Sequence, residues 1–218
     1  MTSFIIQKTI RKAGLFTLLV LMVLSSLSVS VLSQDEPLNI LSIGREGSTT
    51  FTRNFNPFSP SALNGTSQAI HERMIIWNPV DGEIVPWLAT AYEWNEDGTA
   101  LTFTTRDAVL WSDGEPFSAA DVAFTFQLIR EHFGGGGYPY LENVEATSDN
   151  TVVFYFNQIF SPALYEVGQQ VIVPEHIWSD IEDPVVFTNP NPVGTGPFTE
   201  VAVFGDQVYE LHRNPNYW

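Results

Sequence analysis

The sequence predicts a mixed α/β fold, because two turn signals, two alternating strands and one helix follow each other within residues 87–130. The pair Asp97-Gly98 lies between residues 92–94 and 101–104, where side chains alternate as they do in half-buried strands. Such a pair is typical of a tight hairpin turn. Asp113-Gly114 then marks a second turn.

A helix follows this second turn. Ser118 and Asp121 have the spacing of a capping box, in which the two residues satisfy each other's free backbone N–H groups. Apolar residues recur beyond it at helical spacing and predict one buried stripe: Val122, Phe126 and Ile129. Four glycines at 134–137 end the predicted helix, since glycine supplies the left-handed geometry of a helix C-terminus, and then form a flexible loop.

The remaining elements are predicted from shorter signals. Strands are expected at residues 38–43 and 84–87, in a hairpin of 144–147 with 151–157, and in a last hairpin of 198–203 with 207–213. A helix capped by Thr66 or Ser67 is expected to run to about Ile75. Two short helices are expected to have proline at their first position, Pro162 and Pro174.

Residues 1–33 have the pattern of an export signal. A basic start is followed by an apolar run at 15–24 and a small-residue exit at 25–33, which predicts cleavage before Gln34. An uncleaved anchor is the alternative, because residues 13–32 could span roughly 30 Å of hydrocarbon. The chain contains no cysteine, so the sequence predicts neither a lipoprotein anchor nor a disulfide.

The charge of the chain excludes one class of function. Without residues 1–33 it has six basic and 25 acidic residues, a net charge of −19. This charge repels nucleic acid, so a function based on a basic patch is excluded. Solubility is a sufficient reason for the charge, and a cationic ligand is a further option.

Catalysis has no support in the sequence. The four histidines show no metal-ligand spacing, there is no Gly-x-Ser-x-Gly motif, and the chain has no cysteine nucleophile. Residues 93–104 only superficially resemble a calcium loop, because Glu93 and Thr104 replace two of its ligands. The four glycines lack the lysine of a phosphate loop. We therefore expect no enzymatic activity, no metal and no cofactor.

The motifs taken together resemble a known family, the family 5 extracellular solute-binding proteins, which are receptors of oligopeptide-type ABC importers. The pattern A-x-x-W, DGT, TF-x-T-R, WSDG and A-x-D-V-x-F occurs in the family's order between Ala91 and Phe124. Asn56-Pro57-Phe58 precedes it, and GTGPF at 194–198 and RNPNYW at 213–218 follow it. The resemblance covers nearly all of the chain after about Leu38.

The resemblance implies a domain organisation. It indicates a class II periplasmic binding protein-like lobe, with the start of domain I at residues 35–61 and 171–218 and an inserted domain II at 62–170. The second lobe would lie beyond Trp218, so the chain looks like the N-terminal part of a longer protein.

The resemblance also implies a function. The chain would be the substrate-binding component of an ABC transporter, a monomer in the periplasm or on the extracellular face of the cytoplasmic membrane. It would capture oligopeptides and present them to a membrane permease. Two alternatives remain. One is a receptor for cello- or other oligosaccharides, given the abundant aromatic residues, and the other is a peptidoglycan- or metal-directed sensor that uses the same fold without transport.

Two loops would face the ligand by resemblance. They contribute the candidate ligand-binding residues Asn54, Phe55, Asn56, Tyr138 and Tyr140. Tyr138 falls where related peptide receptors have a loop tyrosine at the ligand, although both tyrosines could instead pack the glycine loop against domain II. Three tryptophans are expected in the core: Trp87, Trp94 and Trp111. Gly194 and Gly196 are expected to serve the backbone and not the ligand.

Overall fold

The computed structural model describes residues 39–44, 50–133 and 138–218, which form a mixed α/β structure. The predicted export signal and the four glycines at 134–137 lie outside these residues. The strands are β1 (Ile40–Gly44), β2 (Ile75–Trp77), β3 (Ile84–Pro86), β4 (Ala89–Trp94), β5 (Ala100–Thr105), β6 (Leu141–Ser148), β7 (Thr151–Phe156), β8 (Phe198–Phe204) and β9 (Val208–Arg213). The helices are α1 (Ala119–His132), α2 (Ala163–Gly168) and α3 (Glu175–Trp178).

One antiparallel sheet joins the two ends of the described chain in the order β1-β9-β8. Strand β9 is central, and its residues alternate between buried and exposed positions as a sheet with one covered face requires. Tyr209 and Leu211 on its covered face form a hydrophobic cluster with Phe55 and Ile70. The predicted first strand and last hairpin are therefore confirmed.

A second antiparallel sheet has the order β4-β5-β7-β6. Alternate residues of β5 and β7 are buried, and they include Val152, Phe154 and Phe156, which the sequence placed on one face. Helix α1 packs against β6 and β7 and covers this face. Both predicted hairpins are confirmed, and the chain turns between β4 and β5 at Gly98, whose φ of 67° favours glycine.

Helix α1 begins as the sequence predicts. The Ser118 hydroxyl accepts a hydrogen bond from the Ala120 backbone N–H at 3.2 Å, and the Asp121 carboxylate accepts one from the Ser118 N–H at 2.9 Å. The predicted stripe is buried along the helix. The helix ends at His132 with Phe133 as its cap, one residue before the glycines. The short helices α2 and α3 also occur, with Pro162 and Pro174 one residue earlier than predicted, at the N-cap.

The predicted helix from residue 66 to Ile75 is wrong. Gln68 has a φ of 84°, which a helix does not allow, and Ile75 begins strand β2. The Ile70 carbonyl accepts a hydrogen bond from the Gly196 N–H at 2.9 Å, so a residue far along the chain replaces a helical partner. Tertiary pairing therefore outcompetes the local helical pattern in this segment.

Gly194 and Gly196 make this pairing possible. A Cβ atom on Gly194 would lie 2.0 Å from the Ile70 carbonyl oxygen, and one on Gly196 would lie 2.3 Å from the Ala69 carbonyl oxygen. Both distances are far below van der Waals contact, so only glycine allows the two backbones to approach this closely. The expectation that these glycines serve the backbone agrees with this geometry.

A buried carboxylate connects the middle and the end of the chain. Glu72 accepts hydrogen bonds from the indole N–H groups of Trp87 at 2.7 Å and Trp218 at 3.1 Å. Burial raises the pKa of Glu72, although these bonds oppose the rise. Of the three tryptophans expected in the core, Trp111 is fully buried, whereas Trp87 and Trp94 are partly buried and pack against the core.

Candidate functional site

A cleft of about 410 Å³ opens beside the loop that follows Asn56 and the last turn of α1. Four aromatic rings, two amides and one carboxylate line it together with two aliphatic side chains: Pro57, Phe58, Ile129, Phe133, Tyr138, Tyr165, Glu166, Gln169 and Gln170. A concave surface with apolar walls and a few polar groups is typical of a ligand-binding site.

Two asparagines fix the loop that carries Phe58 to this cleft. The Asn56 side-chain N–H groups donate to the Pro184 carbonyl at 2.9 Å and the Phe187 carbonyl at 2.7 Å, and its side-chain oxygen accepts from the Phe58 N–H at 2.8 Å. Asn54 similarly accepts from the Asn56 N–H at 3.0 Å. These bonds define the path of the loop, so the Phe58 ring is held in place before any ligand arrives.

Tyr138 forms a wall of the cleft from the opposite side. Its ring packs against Phe126 of α1 at a centroid distance of 5.0 Å, and its hydroxyl donates to the Gln170 side-chain oxygen at 2.8 Å. Burial raises the pKa of Tyr138, and the nearby negative charge of Glu166 raises it further. The tyrosine is therefore a neutral group at physiological pH.

Helix α2 and the residues after it supply the polar part of the cleft. Gln169 accepts from the Arg73 guanidinium at 2.8 Å and donates to the Ile75 carbonyl at 3.0 Å. Gln170 donates to the Val171 carbonyl at 3.0 Å in addition to its bond with Tyr138. Both amides are consequently oriented by the fold and present fixed dipoles to the cleft.

The structure separates the five predicted ligand-binding residues. Tyr138 lines the cleft, whereas Tyr140 packs on Phe160 at 4.7 Å and lines, with Tyr138, a small cavity next to it. Asn54 and Asn56 are buried. Asn54 bonds within the loop, Asn56 also bonds to the distant Pro184 and Phe187 carbonyls, and Phe55 is 0% exposed in the core. A direct ligand contact by these three residues stays a prediction. The bonds of Asn54 and Asn56 position the backbone of Phe58, whereas Phe55 packs against Tyr209.

The sequence does not predict most of the cleft. Phe58 lies in the Asn-Pro-Phe motif and is one of the aromatic residues that favour a sugar ligand, but it is not among the predicted ligand-binding residues, and neither are Glu166, Gln169 and Gln170. The Asn-Pro-Phe motif is the sequence signal from which Phe58 could have been predicted as part of the site. No local pattern marks Gln169 or Gln170, because their place in the cleft depends on contacts with Arg73, Ile75 and Tyr138.

A second pocket of about 420 Å³ is lined by the end of β1 and two loop segments, Gly44, Thr50–Thr52 and Pro60–Asn64. None of the predicted ligand-binding residues lines it. Within residues 39–44, 50–133 and 138–218, no group of three His, Cys, Asp or Glu side chains could hold a metal ion. No helix in the same ranges is long and apolar enough to cross a membrane.

Comparison with known proteins gives a consistent result. The model of the bacterial extracellular solute-binding proteins, family 5, matches residues 83–218. A Brucella ovis protein provisionally named an ABC transporter peptide-binding protein is 30% identical over 175 residues, which cover 77% of this chain and 33% of that protein. The nickel-binding periplasmic protein of Escherichia coli is 27% identical over 186 residues, which cover 79% of this chain and 34% of that protein.

Solved structures show the same relationship. The periplasmic oligopeptide-binding protein of an oligopeptide ABC transporter from Thermotoga maritima, crystallised with mannohexaose, superimposes with a TM-score of 0.72 at 30% identity. The match covers 79% of this chain and 33% of that one, so the chain spans about a third of the length of its relatives. The fold is that of a periplasmic binding protein, and the chain belongs to the family 5 extracellular solute-binding proteins.

Proposed function

We propose that this chain forms one wall of the binding cleft of an extracytoplasmic ABC-transporter receptor that captures oligopeptides. The observation that carries the proposal is the position of the cleft. All its lining residues except Pro57 and Phe58 lie within residues 83–218, the region that matches the family. Relatives named as peptide- or oligopeptide-binding proteins support peptide as the first substrate class.

The cleft is suited to binding and not to catalysis. Its amides are held by backbone groups, its tyrosine is neutral, and its rings offer apolar contact area. Such groups orient a ligand through hydrogen bonds and shape, as receptors for extended peptides do. The proposed activity is therefore capture followed by delivery to a membrane permease, with no reaction and no cofactor.

The proposed location and assembly follow from the same function. The chain would act outside the cytoplasmic membrane as a monomer, after export directed by residues 1–33. The domain division at 35–61 and 171–218 against 62–170 stays a proposal. Separate hydrophobic clusters around the two sheets support it, although Leu63 and Ile70 pack with the first sheet and favour a boundary nearer Glu72.

Oligosaccharide capture is the second candidate. Phe58, Tyr138 and Tyr165 line one cleft, and aromatic faces are suitable for stacking on sugar rings. The Thermotoga maritima relative was crystallised with mannohexaose, which supports this alternative. Non-transport sensing shares the same cleft chemistry and is not favoured by a specific contact.

Ligand titration followed by NMR tests the proposal. Mixed oligopeptides should shift resonances of cleft residues and saturate only at about millimolar concentration, because a complete receptor of this type buries roughly 70–90% of its ligand and one wall supplies part of the contacts. Shifts caused by cello-oligosaccharides alone would favour the alternative. Saturable binding at micromolar concentration would contradict the one-wall interpretation.

Two tyrosine variants locate the binding surface. Tyr165→Ala removes an exposed ring of the cleft, and Tyr155→Ala removes a similarly exposed ring from the outer face of the second sheet. Peptide shifts should weaken only in the first variant. Equal weakening in both, or none in either, would show that peptides bind elsewhere.

A further inference from the structure

The lining of the cleft includes an acidic side chain and no basic one. Among its nine lining residues Glu166 is the one acidic residue, and none is lysine, arginine or histidine. Glu166 forms an ion pair with none of the basic side chains that the structure describes. Its negative charge is nevertheless close enough to Tyr138 to raise the pKa of that residue. Among the described residues, the cleft therefore contains one negative charge that no basic side chain compensates.

The other polar groups of the cleft are largely occupied. Gln169 uses both ends of its amide on Arg73 and Ile75, and Gln170 uses both ends on Tyr138 and Val171. Each amide keeps one further N–H and one oxygen lone pair, which a ligand could use in addition to these contacts. The Glu166 carboxylate has no hydrogen-bond partner within residues 39–44, 50–133 and 138–218, so it can accept bonds from a ligand at little cost.

Aromatic rings line the same cleft as this carboxylate and pack against other rings. Phe58 packs against Phe133 at 5.0 Å, and Tyr165 of α2 packs edge-on against Trp77 at 5.5 Å. The face of an aromatic ring attracts a cation through its quadrupole, and this attraction adds to that of a neighbouring carboxylate. Pre-positioned rings lose little conformational entropy when a cation binds.

We propose that Glu166 and the rings of Phe58, Tyr138 and Tyr165 form a subsite for a cationic group of the ligand, an ammonium or a guanidinium. The proposal rests on the proposed function and specifies the class of peptide: one with a basic residue or free amino group at this position. The net charge of −16 for the whole chain supports it, since a negative field concentrates cationic ligands near the surface. An acidic ligand group would meet only repulsion here.

Three blocked tripeptides test the subsite: N-acetyl-Ala-Lys-Ala-amide and the same peptide with Gln or Glu in the middle. Blocking both ends leaves the central side chain as the one variable. In NMR titrations of the full chain the Lys peptide should bind about fivefold tighter than the Gln peptide, as a partly exposed ion pair with a cation–π contact allows. The Glu peptide should bind most weakly, and added salt should reduce the differences.

Matched variants separate a local subsite from the overall field. Glu166→Gln keeps the shape of the side chain and removes its charge, whereas Glu96→Gln removes one charge from the exposed β4–β5 turn. The Lys preference should disappear in the first variant and persist in the second. Loss of the preference in both, or its persistence in Glu166→Gln, would overturn the subsite.

The outcomes also distinguish the subsite from peptide capture itself. Equal binding of the Lys, Gln and Glu peptides to the parent chain would overturn the subsite and leave peptide capture standing. If none of the three peptides shifts the cleft resonances and cellotriose does, both the subsite and peptide capture would be overturned.

Discussion

Two regions of the molecule differ in how far their hydrogen bonds reach. In the signature block, residues 87–133, the capping box closes within three residues, and the Asn95 side chain accepts bonds from Thr99 and Ala100. In the junction segment, residues 50–74, Asn56 bonds to Pro184 and Phe187, more than 120 residues away. The block also bonds to distant residues such as Gly194, but its turn and helix start are specified locally, whereas the path of the segment is specified by its distant partners.

This difference explains which predictions succeed. Each local bond of the signature block corresponds to a recognisable sequence pattern, and the strands and helix there occur as predicted. The junction segment contains a helical pattern as well, but its backbone groups bond to Gly196 and Phe198 of the distant GTGPF motif. Local propensity is a weak preference that such contacts override. Four predictions test the comparison, from the largest expected effect to the smallest.

Gly194→Ala should break the junction most severely. Its Cβ would lie 2.0 Å from the Ile70 carbonyl oxygen, a backbone atom that cannot move without disrupting the segment. We expect a loss of more than about 5 kcal/mol of folding free energy, or no stable fold. Gly114→Ala is the control, since a Cβ there meets nothing within 4 Å and its φ of 98° should cost only about 1–2 kcal/mol. Similar urea midpoints for the two variants would contradict the close approach.

Protonation of His71 should unfold the junction at acid pH. Burial lowers the pKa of His71 to about 3 from its ordinary value of 6.5, so the unfolded chain binds this proton more readily. The contribution of His71 to stability is therefore complete above pH 6.5 and is lost as the pH falls towards 3, up to about 4–5 kcal/mol. In urea unfolding, the free energy of unfolding of the parent should therefore fall more steeply with decreasing pH than that of His71→Gln.

A control is needed because Glu72 acts in the opposite direction. Its raised pKa means that its contribution declines as the pH rises above 4.5. Because both proteins contain Glu72, the difference in unfolding free energy between the parent and His71→Gln isolates the contribution of His71. His132→Gln changes an exposed histidine of α1 and should leave the pH dependence of the unfolding free energy as it is in the parent. If the unfolding free energy of His71→Gln depended on pH as that of the parent does, burial would not lower the pKa of His71.

Phe126→Ala should produce the largest effect within the signature block. The side chain is 0% exposed and packs against Phe154 at a centroid distance of 4.9 Å. Its removal leaves a cavity and should cost about 3–5 kcal/mol in chemical denaturation. Gln127→Ala on the exposed side of the same helix should change stability by about 0.5 kcal/mol or less. An unchanged midpoint for Phe126→Ala would show that the helix faces another way.

A pair of asparagine variants compares the two regions directly. Asn56→Ala leaves the buried Pro184 carbonyl and the part-buried Phe187 carbonyl without these donors and should cost about 2–3 kcal/mol. Asn95→Ala removes two bonds from exposed backbone N–H groups, which water can replace, and should cost about 1 kcal/mol or less. Equal losses in thermal or urea unfolding would show that burial does not distinguish the two sites.

The candidate site was predictable only in part. Tyr138 was identified through the family resemblance, and Phe58 lies in a motif that the sequence shows. Glu166 and Gln170 enter the cleft because α2 packs beside β2 and because Tyr138 bonds to Gln170. These contacts join residues 32 or more positions apart, and no periodic pattern records them.

The sequence by itself determined the turns at Gly98 and Gly114, the start of α1 and the alternating strands of the second sheet, because each depends on φ angles, caps or side-chain periodicity within a few residues. Only the tertiary structure decided the path of residues 50–74, the burial of Phe55 and the composition of the cleft. There the partners of a backbone or side-chain group lie from 32 to more than 100 residues away, so the outcome depends on packing that no short segment encodes.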